Sequence, residues 1–279
     1  MKKALIFAVV AVVFAGCATT LTHYEVGMEY YAAGKIDLAI EEFQASIAQN
    51  PSDAVVQKAL GDAFADKGLL LDAIASWEVA LQLQPSMESV KGKLEAAYVS
   101  LGKEEDDKGR IDDAIAMWKK AVVLNDTNLE AHKNLGMAYN RQKDYDHCIP
   151  ELEYVVSKNP TDDQVYKTLA MAQYKKGRLE DAASTYEALI RLKPTDAVAY
   201  NNLGSIYLNL NKNDDAVHVL EQAVKLSPDK AEFFNNLGKA YYRNKEYAAA
   251  RQQWAKALEL DPINKTAKEN LKILKEMGE

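Results

Sequence analysis

Large apolar residues recur along this chain at three- and four-residue spacing, the mark of helices with one buried face. A longer interval is laid over that one. Six of the seven prolines, Pro51, Pro85, Pro160, Pro194, Pro228 and Pro262, fall 34, 75, 34, 34 and 34 residues apart. The long gap holds one ordinary unit and one with seven extra residues, in which Asp126 stands in the proline's place. A fixed interval of this size predicts stacked copies of one small unit, each touching only its neighbours. Aligned on the prolines, residues 20–264 divide into seven units: 20–53, 54–87, 88–128, 129–162, 163–196, 197–230 and 231–264.

Positions within a unit are counted from its first residue. Position 7 is aliphatic throughout: Val26, Leu60, Leu94, Leu135, Leu169, Leu203 and Leu237. Position 8 is small, with Gly27, Gly61, Gly136, Ala170, Gly204 and Gly238, and Glu95 as the exception. Position 11 is aromatic in six units, and in the fifth the aromatic slips one place to Tyr174. In the second half, Ala39, Ala73, Ala114, Cys148, Ala182, Ala216 and Ala250 precede Phe43, Trp77, Trp118, Leu152, Tyr186, Leu220 and Trp254 by four. Small residues at positions 8 and 20 let two helices approach, and the bulky residue fills the space beside them.

These positions resemble the tetratricopeptide repeat family over residues 20–264. The resemblance implies an all-α, right-handed α-α superhelix of about seven helix-turn-helix repeats. Residues 265–279 form a capping helix, more polar, at the open end. Asp37, Asp72, Asp112, Asp146 and Asp214 fall where second helices should start and suit the positive helix end. Ser52, Ser86, Thr161 and Thr195 are candidate caps for first helices. The seven extra residues of the third repeat are placed around Gly102 to Lys108. They read as two added helical turns or as a solvated acidic loop at Glu104 to Asp107, without EF-hand spacing.

The chain starts differently. Met1-Lys2-Lys3 is basic and Ala4 to Ala15 is apolar but too short to span a bilayer, the form of a secretory signal. Phe14-Ala15-Gly16-Cys17 resembles a bacterial lipobox, although the family prefers Leu where Phe14 stands. The resemblance implies a signal peptide over residues 1–16 and lipidation of Cys17, with residues 17–19 as the lipidated N-terminus. It also implies a bacterial envelope location. Ala18 points to the outer membrane, facing the periplasm; the competing reading is a soluble periplasmic protein cut by an ordinary signal peptidase.

The formal net charge is −7 and becomes more negative if Lys2 and Lys3 leave with the signal. Such a chain is a poor nucleic-acid binder, because phosphate contacts need clustered cations. His23, His132, His147 and His218 are scattered, and no phosphate loop or metal-ligand pair occurs at helical spacing. Cys148, beside His147, takes a small-residue position and reads as buried between helices. The sequence therefore argues against an enzyme and calls for no cofactor or metal.

In the family, positions 2, 5, 6, 9, 12 and 13 of first helices line a groove. The resemblance puts Asn134, Asn202 and Asn236 at position 6 and Asn201 and Asn235 at position 5. Lys93, Lys133, Arg141, Lys167, Lys175, Lys239 and Arg243 form a basic stripe there, against Glu130 and Glu232. Amides donate and accept, so they can hold an extended backbone without reading its sequence. The expected partner is an extended or acidic segment of an envelope protein, with the membrane reached through Cys17. Type IV pilus pilotins share this architecture. Regulatory adaptors of peptidoglycan hydrolases or envelope proteases, and glycan-binding export components, are the alternatives. The oligomeric state is not specified.

Overall fold

The computed structural model describes residues 21–278; the expected signal peptide over residues 1–16 and the expected lipidation at Cys17 lie outside the described residues. Fifteen α-helices are present among them: α1 His23–Ala32, α2 Ile36–Gln49, α3 Ala54–Asp66, α4 Leu70–Leu83, α5 Glu88–Asp107, α6 Ile111–Leu124, α7 Leu129–Gln142 and α8 Tyr145–Lys158. They continue with α9 Asp163–Lys175, α10 Leu179–Leu192, α11 Ala197–Asn209, α12 Asn213–Leu226, α13 Ala231–Arg243, α14 Tyr247–Leu260 and α15 Lys265–Glu276. Packing divides the chain into two compact units that meet in sequence between Leu101 and Gly102, inside α5. In the first unit α1 packs on α2 and α3 on α4. In the second, each helix from α6 to α15 packs on its sequence neighbours.

Close approach explains the small positions. A Cβ at Gly27, Gly61, Gly136, Gly204 or Gly238 would collide with the bulky position-24 side chain sixteen residues on: Phe43, Trp77, Leu152, Leu220 or Trp254. The position-20 alanines and Cys148 are fully buried. Helix pairs this tight leave no room for a methylene more, since interiors pack at crystal density.

The same test corrects the register of the third repeat. The glycine that meets Trp118 is Gly102, sixteen residues before it, and not the position occupied by Glu95. Measured from Gly102, the repeat begins at Glu95, so the seven extra residues precede Glu95 and do not lie at Gly102 to Lys108. In the first unit, however, Tyr98 donates its hydroxyl to Glu78, twenty residues back. Tyr207 to Glu187 (2.7 Å) and Tyr241 to Glu221 (2.6 Å) span the same interval. Tyr98 thus keeps position 11 in the older register. Helix α5 is 20 residues long where α3 has 13. The added seven make about two turns, so one helix serves both registers on one face.

The expected caps also shift. Asp37, Asp72, Asp112, Asp146 and Asp214 sit within the first turn of their helices and do not cap them. They act on the helix dipole instead. Ser52, Thr161 and Thr195 lie one residue too early. Asp53, Asp162 and Asp196 take the cap, and Asn128 and Asn264 do so at α7 and α15. Each turn between the two helices of a repeat contains one left-handed residue, glycine in four repeats and Lys143, Asn211 or Lys245 in the other three.

Candidate functional site

First helices of neighbouring repeats touch each other, α7 with α9 and α11 with α13. Their facing positions are where the groove is expected. Several of those side chains prove to be struts between repeats. Position 5 reaches the cap of the next first helix. Lys133 Nζ lies 2.6 Å from Asp162, Lys167 2.8 Å from Asp196, and Asn235 donates to Asn264 at 2.9 Å. In the sixth repeat the next cap is Lys230, which accepts nothing. There Asn201, only 3% exposed, instead accepts from Asn236 at 2.8 Å. Asn201 therefore cannot meet a ligand directly, contrary to its assignment from sequence.

Position 13 reaches back to position 12 of the preceding repeat. Arg243 donates to the Leu208 carbonyl, and Asn209 donates to the Tyr174 hydroxyl at 3.2 Å. Arg141 pairs with Asp106, which takes position 12 in the register set by Gly102. In the first unit Lys93 lies 2.6 Å from Asp62, which also accepts from Lys58 and from Trp77. Burial raises the Asp62 pKa, but hydrogen bonds from Lys93, Lys58 and Trp77 outweigh it and hold the carboxyl below its usual range. The basic stripe is thus largely neutralised from within. Of its seven cations, Lys175, Lys239 and Arg243 form no ion pair among the described residues; Lys175 lies over the Tyr174 ring and Arg243 is held by the Leu208 carbonyl.

Position 6, also assigned to the groove from sequence, keeps hydrogen-bonding capacity to spare. Asn134 and Asn202 are partly exposed. Asn202 donates to the Tyr186 hydroxyl at 3.1 Å, and Asn236 to Asn201, so each keeps a carbonyl oxygen and a second N–H. The series continues to Asn270 on α15, 34 residues beyond Asn236, which sequence reading assigned only to a cap. The interval alone could have found it.

Three cavities of the second unit are built alike. One, of about 490 Å³, has Trp118 at position 24, Lys103 and Asp106 at positions 9 and 12, and Asn134 at position 6 of the next repeat. A second, about 180 Å³, repeats this with Tyr186, Met171, Tyr174 and Asn202. A third, about 300 Å³, has Trp254, Lys239, Tyr242 and Asn270. Position 24 therefore alternates between a cavity wall and a plain filler: Trp118, Leu152, Tyr186, Leu220, Trp254. A flat aromatic there leaves an opening beside it.

Cys148 is sealed between helices, and burial, aided by Asp144 and Glu151, pushes its thiol up to about 12. His147 turns to Asp144 (2.7 Å) and stacks on Tyr139. With Cys17 replaced by serine, iodoacetamide at pH 8 is expected to leave the folded chain unlabelled and to add one group in urea, read by mass. A thiol labelled in the folded state would mean the α7–α8 layer opens. Among the described residues no three His, Cys, Asp or Glu side chains gather to hold a metal.

Family comparison matches the tetratricopeptide repeat model at residues 24–88, 99–147 and 201–264, and a second repeat model at 170–211. A peroxisomal targeting signal receptor from Candida glabrata is 32% identical over 76 residues, which is 27% of this chain and 13% of the receptor. Among solved structures, MamA protein is 25% identical with a TM-score of 0.58, over 61% of this chain and 93% of its own. The C-terminal part of a TPR repeat-containing protein from Cytophaga hutchinsonii is 20% identical with a TM-score of 0.53, over 89% of this chain and 99% of its own. With the repeat model covering more than half the residues and its small and bulky positions locked together in space, the chain belongs to the tetratricopeptide repeat family.

Proposed function

We propose that this chain is a membrane-anchored scaffold of the bacterial envelope that holds an extended segment of a partner protein along its first helices. The observation that carries this reading is the row of like-built cavities in the second unit, each opening beside a position-6 amide. Interdigitated amides and half-filled pockets suit a backbone laid across several repeats, with side chains dropped into alternate junctions. The anchoring half of the reading rests on the lipobox-like residues ending at Cys17. Assistance in assembling a larger complex, as in pilus secretin biogenesis, is an extension by architecture, and fold does not fix a pathway. A regulatory adaptor of an envelope hydrolase or protease would use the same face.

The test is partner capture from detergent-solubilised bacterial envelope, with the intact chain and with Asn134, Asn202 and Asn236 all changed to Ala. Circular dichroism checks that the variant folds, since Asn236 also bonds Asn201. One defined set of envelope proteins should be retained by the intact chain and lost by the folded variant. Equal capture by both would put the contact on another face and end the groove reading.

A further inference from the structure

The second helices of the repeats share a buried face and differ on the side turned away from it. With the third repeat counted from Glu95, position 18 on that outer side is acidic in five of them: Asp37, Asp112, Asp146, Glu180 and Asp214. Position 26 is lysine in two, Lys120 and Lys256. Helix α4 breaks the pattern. Its buried residues, Ala73, Ile74, Ser76, Trp77 and Ala80, are those of a repeat helix, but positions 18, 22 and 26 are Leu71, Ala75 and Val79, followed by Leu83. All four are exposed, Leu71 by 66%. An exposed leucine at Leu83's place recurs at Leu192, Leu226 and Leu260, yet only in α4 do the three residues before it extend it into an apolar ridge. Spaced by four, the ridge runs for about 18 Å, and ridges of that spacing are what one helix packs against another. Single exposed apolar residues are ordinary; a contiguous row marks a contact surface.

Charge narrows what covers it. Asp72 and Glu78 flank the ridge and α4 holds no Lys or Arg, so an anionic lipid surface is repelled. The ridge does complement itself. When α4 of a second copy lies antiparallel, centred between Ala75 and Val79, Leu71 meets Leu83 and small Ala75 meets Val79. Asp72 then lies beside the Gln82 amide, which can donate to it. Glu78 is already turned to the Tyr98 hydroxyl. The parallel alternative would set Asp72 on Asp72 and Glu78 on Glu78, and like charges brought together oppose association. We infer that the outer ridge of α4 is a self-association surface, on which α4 of a second copy packs antiparallel. The contact uses the same patch on both copies and so closes at two. Interlocked ridges of this spacing cross at about −50°. A single helix crossing buries less than the roughly 800 Å² per partner of a standard interface, so the pair forms only at high local concentration. Pairing through α4, a second helix, leaves the first helices of both copies uncovered and does not depend on what they hold.

The test uses the purified full chain at high micromolar concentration and two variants, Ala75→Cys and Val79→Cys, both at exposed positions. The parent chain sets the background, since Cys148 is sealed between helices. Mixed and oxidised with copper phenanthroline, the two variants should give a disulfide-linked dimer. Peptide mapping should find the 75–79 linkage in several-fold excess over 75–75 and 79–79. Leu71→Lys added to both variants should abolish the dimer while circular dichroism stays unchanged, because that side chain packs on nothing buried. Ala116→Cys, at the matching outer position of α6, should remain monomeric. An excess of the two like linkages overturns the antiparallel pairing. A dimer that survives Leu71→Lys, or an equal yield from Ala116→Cys, reduces the linkage to random collision and overturns it too. No linkage above the parent chain overturns self-association. So does linkage in whole cells to a different protein in place of the second copy.

Discussion

Replacing Gly102 by Val is expected to destabilise the second unit by at least about 2 kcal/mol, the scale of overpacking a closed helix pair. A Cβ there already collides with the Trp118 indole, and Trp118 is itself buried against its neighbours. Valine adds two more carbons in the same direction. The control lies on the same helix. Gly92 is exposed and has nothing within 4 Å of its missing Cβ, so Gly92→Ala should gain about 0.5–1 kcal/mol from helix propensity alone. Two glycines ten residues apart should therefore shift thermal unfolding in opposite directions. If Gly102→Val were silent and Glu95→Val severe, the third repeat would follow the register counted from Glu88, and the packing of Trp118 on Gly102 would be wrong.

That register is where sequence reading met its limit, and the reason is geometric. An insertion of two helical turns returns every apolar residue to its old face, so Leu94 and Leu101 are equally good candidates for position 7. Both are buried, at 1% and 8% exposure. Glycine at 102, sixteen residues before Trp118 as in five other repeats, separates them, and the contact across helices shows it directly. The repeat itself was legible because its signal is redundant, with glycine, aromatic and proline marking the same interval. The groove was legible only in part. Lys133 and Lys167 look like a free basic stripe until their partners, Asp162 and Asp196, are found 29 residues on at the caps of the next helices. That spacing recurs and was open to reading as a strut. The slipped aromatic of the fifth repeat has a similar cause. Gln173 stands at position 11, 3% exposed, and donates to Glu153 at 3.2 Å where other repeats use a tyrosine hydroxyl. The contact to the preceding helix is kept, and Tyr174 is free to line a cavity.

The largest effect expected from any single substitution is at Cys17. No helix of the described residues is long and apolar enough to cross a membrane. If the lipobox reading holds, attachment depends on acyl chains at this one sulfur and the new amino terminus. Each buried methylene contributes about 0.8 kcal/mol, so two or three long chains give an anchor that does not release, where one chain gives reversible binding. Cys17→Ser removes the acceptor and with it the cut before residue 17. The apolar stretch Ala4 to Ala15 that then stays attached has twelve residues, short of the roughly 20 a spanning helix needs. The native chain should remain in envelope membranes through a carbonate wash and take up labelled palmitate. Its N-terminal peptide should carry the mass of a diacylglycerol. The serine variant should lose the label, keep residues 1–16 and wash off. A native chain found unlabelled and free in the periplasm would replace the anchored scaffold by a soluble one, with the groove and its partner unaffected.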